Sequence, residues 1–321
     1  MLKVLCLGGV TLDVLVAIEA EVQPLPGQKQ EARHIELAAG GGAMNAATVL
    51  KRLGAQVGIH CAIGRDEAGE FILRTLTQSN VSTTNVEVVD DTPTGKAVVT
   101  IPRSGDASVM AARGANLRLR ADSISIKSAD LLYVTAAPQA AYRAIAKRLS
   151  DAARAFGFVA FNPGMGQIIA DFAQCELIIA ECDLLVVNKN EARQLAQQMD
   201  LPCSGLPIMD ICRGLGRRCQ GFVCITDGEH GAWLTGDTGI FYQPAFERRR
   251  PAYQSSTLGA GDTFGATLAY MLRMRESPEA ALQLAARNAA ATMTALDAHS
   301  GALWIVDLRS RSDLTESGWA L

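Results

Sequence analysis

The chain has 321 residues, 49% of them hydrophobic and 20% charged, enough to bury a large core in a domain of ordinary globular composition. A formal net charge of -3 argues against nucleic acid as a partner, and the short basic run Arg248-Arg249-Arg250 reads as solvated surface. No apolar stretch is long enough to span a bilayer, the start lacks the apolar run of a signal peptide, and the eight cysteines form no Cys-x-x-Cys pair, so a cytoplasmic protein with reduced, buried thiols and no structural zinc site is expected, away from any membrane.

The first apolar run, residues 4–7, reads as a buried strand ending at Gly8-Gly9. Residues 12–37 lack helical periodicity, after which Gly40-Gly41-Gly42 precedes a helix at 44–53, a strand at 57–62 and a helix at 67–78. Residues 92–116 again break the rhythm and read as strand, turn at Ser104-Gly105-Asp106, then strand. Strands at 131–135, 158–161, 184–187 and 222–226 then alternate with helices at 139–156, 190–198 and 208–218. A helix opens near Gly261 with Phe264, Leu268, Met271 and Leu272 at helical spacing, another covers 278–296, and the tail 310–321 is polar. This alternation predicts an α/β fold with a mostly parallel sheet covered by helices on both faces. Segments 12–37 and 92–116 are expected to project from it as a small β-sheet suited to act as a lid.

The stretch Ser255-Ser256-Thr257-Leu258-Gly259-Ala260-Gly261-Asp262-Thr263-Phe264 carries the most chemistry. A helix start leaves backbone N–H groups without partners and carries partial positive charge, which suits an anion. Gly259, Ala260 and Gly261 keep bulk away from those donors. An acid there would normally repel a phosphate, so Asp262 suggests a task, such as taking a proton from a hydroxyl that attacks phosphorus. Asp is also a favoured N-cap, and the segment alone leaves the two readings open.

Gly40-Gly41-Gly42-Ala43-Met44-Asn45 also places small residues before a helix, without a Walker A sequence or a spaced Gly-x-Gly-x-x-Gly after the first strand. Together, this cluster and the distant Gly-Ala-Gly-Asp resemble the two signatures of the ribokinase-like, or PfkB, carbohydrate kinases. Gly8-Gly9 through Asp13, Gly64-Arg65-Asp66-Glu67-Ala68-Gly69, Thr94-Gly95, Gly114-Ala115-Asn116, Asn188-x-x-Glu191 and Thr226-Asp227-Gly228-Glu229-His230-Gly231 follow in family order over nearly the whole chain.

The resemblance implies one ribokinase-like domain over 1–321, a three-layer α/β/α sandwich with a β lid, that transfers the γ-phosphate of ATP to a hydroxymethyl group of a small sugar. By it, Asp262 is the base and Gly259, Ala260 and Gly261 the anion hole, while Asp13, Gly41 and Asn45 grip the substrate. Asn188, Thr226, Gly228 and Asn288 meet the nucleotide, and Glu191 reaches Mg²⁺ through water. A nucleoside is the alternative substrate, although neither lid segment contains an aromatic residue to clamp a base and only apolar residues such as Val98 and Met110 could cover one. A catalytically silent sugar or nucleotide sensor is the alternative of another class, and pairing of two copies through the lid is a further expectation.

The pattern departs from the family in three places. Ser256 replaces the acid that often helps to hold a monovalent cation, so weak or absent K⁺ activation is expected. Gly42-Ala43 stands where many sugar kinases have Lys-Gly. Ala136-Ala137 follows the strand at 131–135, where ribokinases often present a Glu.

Overall fold

The computed structural model describes residues 1–19, 27, 29–121, 129–150, 157–236, 239–246 and 255–310. β1 (Lys3–Leu7) leads into β2 (Thr11–Ile18), β3 (Ala32–Gly40) and α1 (Gly42–Arg52). After β4 (Gln56–His60) and β5 (Ala62–Gly64) come α2 (Glu67–Gln78), β6 (Glu87–Val89), β7 (Lys96–Ile101) and β8 (Ser108–Ala112). Next are β9 (Leu131–Val134), α3 (Gln139–Ser150), β10 (Val159–Phe161), α4 (Met165–Ala170), α5 (Phe172–Glu181), β11 (Leu184–Asn188), α6 (Lys189–Gln198), α7 (Ile208–Gly216) and β12 (Phe222–Thr226). The described chain closes with the hairpin β13 (Ala232–Gly236) and β14 (Gly239–Gln243), then α8 (Ala260–Arg273), α9 (Pro278–Thr292) and α10 (Ile305–Arg309).

Eight strands form the main sheet in the order β14-β13-β12-β11-β10-β9-β1-β4, parallel except for the antiparallel pairs made by β13. Alternate residues of β1 enter opposite cores, as strand geometry requires. Val4 and Cys6 join the cluster holding Met44, Leu50, Leu268 and Leu282, which seats α1, α8 and α9 on one face. Leu5 and Leu7 join the cluster holding Tyr142, Ile178, Leu195 and Ile211, which seats α3, α5, α6 and α7 on the other. The sheet is therefore buried on both sides, which explains why its strands read as unbroken apolar runs. All eight cysteines are free thiols, buried except for the half-buried Cys203.

Several boundaries differ from the sequence expectation. The run 57–62 breaks at Cys61: its first part pairs with β1, while β5 pairs with β6 in a separate two-stranded sheet. The helix expected over 278–296 stops at Thr292. Residues 151–156 of the helix expected over 139–156, the basic run 248–250 and tail residues 311–321 lie outside the described residues.

The segments at 12–37 and 92–116 supply a second sheet in the order β3-β2-β7-β8. Its inner face carries Asp13, Leu15 and Ala17 of β2 beside Ala97, Val99 and Ile101 of β7, all buried. On the outer face Leu37, Val14, Val98 and Met110 stand in direct register, one per strand.

Two polar anchors, one around the buried Asn116 and one around the buried Thr94, fix this sheet to the core. Asn116 Oδ1 accepts from Val10 N at 2.9 Å, while its Nδ2 donates to Val10 O at 2.7 Å and Arg113 O at 2.9 Å. Asp66 caps α2 by accepting from Gly69 N at 2.9 Å, and also accepts from Thr94 N at 3.0 Å and Thr94 Oγ1 at 2.5 Å. The motifs Gly64 to Gly69, Thr94-Gly95 and Gly114-Ala115-Asn116 thus serve one joint.

Removing Asn116 would strand the buried N–H and C=O of Val10. Asn116→Ala is expected to lower unfolding free energy by roughly 2 kcal/mol in urea denaturation; no loss would contradict this anchoring role.

Candidate active site

The parallel strands end along one edge of the main sheet, and the chain leaving them supplies the polar groups: Gly8-Gly9 after β1, Thr135-Ala136 after β9, Asn162 after β10, and Asn188 and Thr226 at the last residues of β11 and β12. Open α/β sheets commonly bind ligands at this edge.

α8 points its N-terminus at the edge. Its N-cap is Gly259, in a left-handed conformation at φ 73°, where a Cβ would lie 2.1 Å from Ala298 O. Glycine is thus required there by backbone and packing together. Thr263 N donates to Gly259 O at 2.9 Å, which closes the first turn and leaves Gly261 N and Asp262 N pointing outward without intrahelical acceptors. A Cβ on Gly261 would meet open space.

Asp262 is the third helical residue rather than the cap, which excludes the capping alternative of the sequence reading. Its Oδ2 accepts from Asn45 Nδ2 at 2.7 Å, a contact between residues 217 apart made possible because α1 lies against α8. Burial pushes the Asp262 carboxyl above its ordinary range, and the Asn45 hydrogen bond opposes that shift. α1 starts from Gly41 at φ 89°, where a Cβ would lie 2.6 Å from Gly9 O. That close approach seats Gly42 and Asn45 at the same edge.

Asp13 reaches the region from the second sheet. Burial raises its pKa to about 6, against the Thr11 hydroxyl, which donates at 2.5 Å, and the imidazole of His299; Asp262 adds a smaller upward push. His299 is itself held through Nδ1 by Asp297 Oδ1 at 3.2 Å.

Two clefts meet here. One, of about 300 Å³, is lined by Gly42, Thr135, Asn162, Asn188, Glu191 and Asp262. The other, of about 550 Å³, is a mostly apolar slot whose walls include Thr226, Gly228, Phe246, Phe264, Ala289 and Met293. Thr226 and Gly261 line both, so the slot opens onto the start of α8.

Asn188 and Glu191 form a capping box on α6: Asn188 Oδ1 accepts from Glu191 N at 2.9 Å and Glu191 Oε2 accepts from Asn188 N at 2.9 Å. The pair therefore has a local structural role, yet Glu191 also lines the smaller cleft, where burial raises its pKa and Asp262 adds to the rise. No group of three or more His, Cys, Asp or Glu that could hold a metal occurs among the described residues.

Residues 1–304 match the family described as pfkB family carbohydrate kinase. The chain belongs to that family. Its relatives include an ATP-dependent ribose-1-phosphate kinase of Halopiger xanaduensis, 26% identical over 92% of this chain and 92% of that one. A ribokinase of Haemophilus influenzae is 26% identical over 59% of this chain and 60% of its own length. Among solved structures, a nucleoside kinase of Burkholderia thailandensis in complex with inosine shares the fold at a TM-score of 0.77, with 20% identity and 95% of each chain covered. Like its family, this PfkB protein is a carbohydrate kinase. No described helix is long and apolar enough to cross a membrane.

Within the PfkB chain, Asp262, Gly259, Ala260, Gly261, Gly41, Asn45, Asn188, Glu191, Thr226 and Gly228 gather at the one edge, with Asp13 within electrostatic reach. Asn288 does not join them. It is buried in α9, where Nδ2 donates to Thr267 Oγ1 at 2.9 Å and Oδ1 accepts from Leu303 N at 2.7 Å, a joint between α8, α9 and the following loop.

The sequence reading missed Phe246, Phe264 and Met293 as slot walls, and Thr135 and Asn162 as lining of the smaller cleft. The alanine-rich run at 280–291 was a usable signal, since small residues at helical spacing leave room beside a helix.

Proposed function

We propose that this kinase transfers the γ-phosphate of ATP to a hydroxymethyl group of a small sugar, with Asp262 as base. The observation that carries the reading is the junction of the two clefts at the start of α8, with a carboxylate of raised pKa beside it. In the step, Asp262 takes the hydroxyl proton as the alkoxide oxygen bonds to the γ-phosphorus, and the bond from that phosphorus to the β,γ-bridging oxygen breaks, leaving the electron pair on ADP. The outward N–H groups of Gly261 and Asp262 face the charge that develops on the phosphoryl oxygens.

The apolar slot suits an adenine, with Thr226 and Gly228 beside the phosphates. Mg²⁺ fits the donor set: it keeps most of its waters and takes few protein oxygens, and Glu191 and Asn188 border the smaller cleft without forming a protein cage. They would hold it through water, and when bound it would offset phosphate charge.

Asp13, Asn45 and the backbone at Gly41 are assigned to grip the sugar hydroxyls, and the second sheet to act as the lid over a single catalytic domain. Val98 and Met110 cannot cover a nucleoside base, because both lie on the outer face of that sheet. Val109 and Ala111 share the inner face with Asp13 and are exposed, which keeps a nucleoside as the second reading.

Asp262→Asn is expected to cut turnover by about 10²-fold or more while ATP binding, measured by calorimetry, survives; wild-type turnover would sink the assignment.

Because Asp13 must be ionised to accept from sugar hydroxyls, and its pKa is raised to about 6, kcat/KM for the sugar should fall as pH drops through that value. Protonation of Asp262 acts in the same direction. A profile flat down to pH 5 would contradict both roles.

Ser256 is fully buried and its Oγ accepts from Leu258 N at 3.0 Å, so a neutral oxygen stands where the family often has a cation-holding acid. Turnover should be insensitive to replacing a bulky organic cation with K⁺ at constant ionic strength, and a several-fold rise would overturn this.

The row of Leu37, Val14, Val98 and Met110 presents an apolar band across the outer face of the lid, with Leu37 54% and Met110 59% exposed. Two copies pairing through it would bury that band. Light scattering is expected to give a dimer that Met110→Asp dissociates; a monomeric wild type contradicts the pairing.

A further inference from the structure

α1 carries a cation at the end opposite the one that meets Asp262. Arg52 is its last residue, about 15 Å along the helix axis from Gly42. A basic residue in a last turn suits the helix dipole, but this side chain also leaves its own helix. Its Nη1 donates to Ser300 O at 2.7 Å and to Ala302 O at 2.6 Å, partners 248 and 250 positions away in sequence. The guanidinium carbon also stands 5.8 Å from the centre of the Trp304 ring, a cation–π contact.

The two carbonyls belong to a tight loop over 297–302. Asp297 Oδ1 accepts from His299 N at 2.9 Å and from Ser300 N at 2.6 Å, and Ala302 N donates to His299 O at 3.1 Å. A Cβ on Gly301 would stand 2.6 Å from Ala291 O and 2.7 Å from Thr292 O, so the loop presses against the end of α9. On its other side it meets the site. Ala298 O and Cβ occupy the space that a Cβ on Gly259 would need, which puts the loop directly behind the N-cap of α8. Gly259 opens the turn whose outward N–H groups, on Gly261 and Asp262, are assigned to the transferring phosphoryl group.

We infer that Arg52 is a positioning residue for phosphoryl transfer: by gathering the Ser300 and Ala302 carbonyls it holds loop 297–302 against Gly259 and so fixes where the anion hole stands. This rests on the proposed reading of the first turn of α8 as that hole. Two converging carbonyl oxygens carry partial negative charge, and one guanidinium nitrogen supplies both of the charge-assisted N–H donors they need. The start of the same helix presents Asn45 to Asp262. α1 therefore sets the base with one end and the anion hole with the other, and a slip of about 1 Å between them is enough to slow transfer about 10²-fold. Arg52 lines neither cleft, so its loss should act on the chemical step rather than on binding.

The test is steady-state kinetics of the intact enzyme with ATP and the sugar that a coupled screen of pentoses and hexoses shows it phosphorylates best. Arg52→Ala should lower kcat by about 10²-fold with both KM values unchanged, and Arg52→Lys should fall between that variant and the wild type. Millimolar guanidinium chloride, compared with tetramethylammonium chloride at equal ionic strength, should restore part of the kcat of Arg52→Ala and leave the wild type as it was. In calorimetry with the sugar present, ADP with aluminium fluoride should bind Arg52→Ala more weakly than the wild type, while ATP binds both equally. Thermal melting reports whether the fold persists. If Arg52→Ala does not fold, Arg52→Lys carries the test, with kcat below wild type at unchanged KM expected.

Wild-type kcat in Arg52→Ala or, where that variant does not fold, in Arg52→Lys overturns the inference. So does a loss of kcat that neither guanidinium nor Arg52→Lys relieves, or an effect confined to KM. If turnover still depends on Asp262 in those cases, the reading of the catalytic site stands and only the role of Arg52 falls. If no sugar is phosphorylated, or Asp262→Asn retains turnover, the reading beneath it falls as well.

Discussion

The hydrogen bond from Asn45 to Asp262 is the point on which the site depends. It joins two helix starts that are far apart in sequence and exists only because α1 and α8 pack side by side on one face of the main sheet, through Met44, Leu50 and Leu268. Apolar packing sets the spacing, and the polar contact then fixes one carboxylate oxygen, leaving the other to face the cleft. The balance at Asp262 follows from this arrangement. Burial makes its charge harder to hold, while the hydrogen bond from Asn45 favours the charged form and opposes that shift. A group set between those limits is suited to pick up and release a proton.

The second sheet shows a similar division of labour. Its inner face is apolar and buried wherever it covers the core, and Asp13 interrupts that surface near the cleft. A buried carboxylate facing another carboxylate is unfavourable by itself, which its raised pKa of about 6 records. The Thr11 hydroxyl and the His299 imidazole, steadied by Asp297, offset part of the penalty. Ligand hydroxyls would complete the set of partners. The joint built from Asp66, Thr94 and Asn116 holds this acid in position while remaining only a few residues wide, a geometry consistent with a lid that hinges there.

The layered fold was legible because strands buried on both faces leave apolar runs of a recognisable length, and five of the six runs became the expected strands of the main sheet. The sixth, at 57–62, split because pairing partners, which no local pattern encodes, differ on either side of Cys61. Glycines were informative where backbone geometry demands them, as at Gly41 and Gly259. Asp262 could not be separated from a helix cap by its own segment, since an offset of less than one helical turn, from Gly259 to Asp262, decides between the two roles and helix boundaries are loosely set by local sequence. Asn288 illustrates the reverse: the family resemblance placed it at the nucleotide, yet its amide serves Thr267 and Leu303 inside the helix packing. Val98 and Met110 were assigned to the wrong face because the register of β7 and β8 against β2 is a tertiary property.

The central claim is that phosphoryl transfer occurs over the first turn of α8, where the two clefts join. A crystal structure of the enzyme with ADP, Mg²⁺, the phosphorylatable sugar and aluminium fluoride tests it most directly. The account predicts the fluoride group within hydrogen-bond distance of Gly261 N and Asp262 N, in line between ADP and a sugar hydroxyl that touches an Asp262 carboxylate oxygen. Aluminium fluoride or the hydroxyl bound away from that turn, with Asp262 contacting neither, would contradict it.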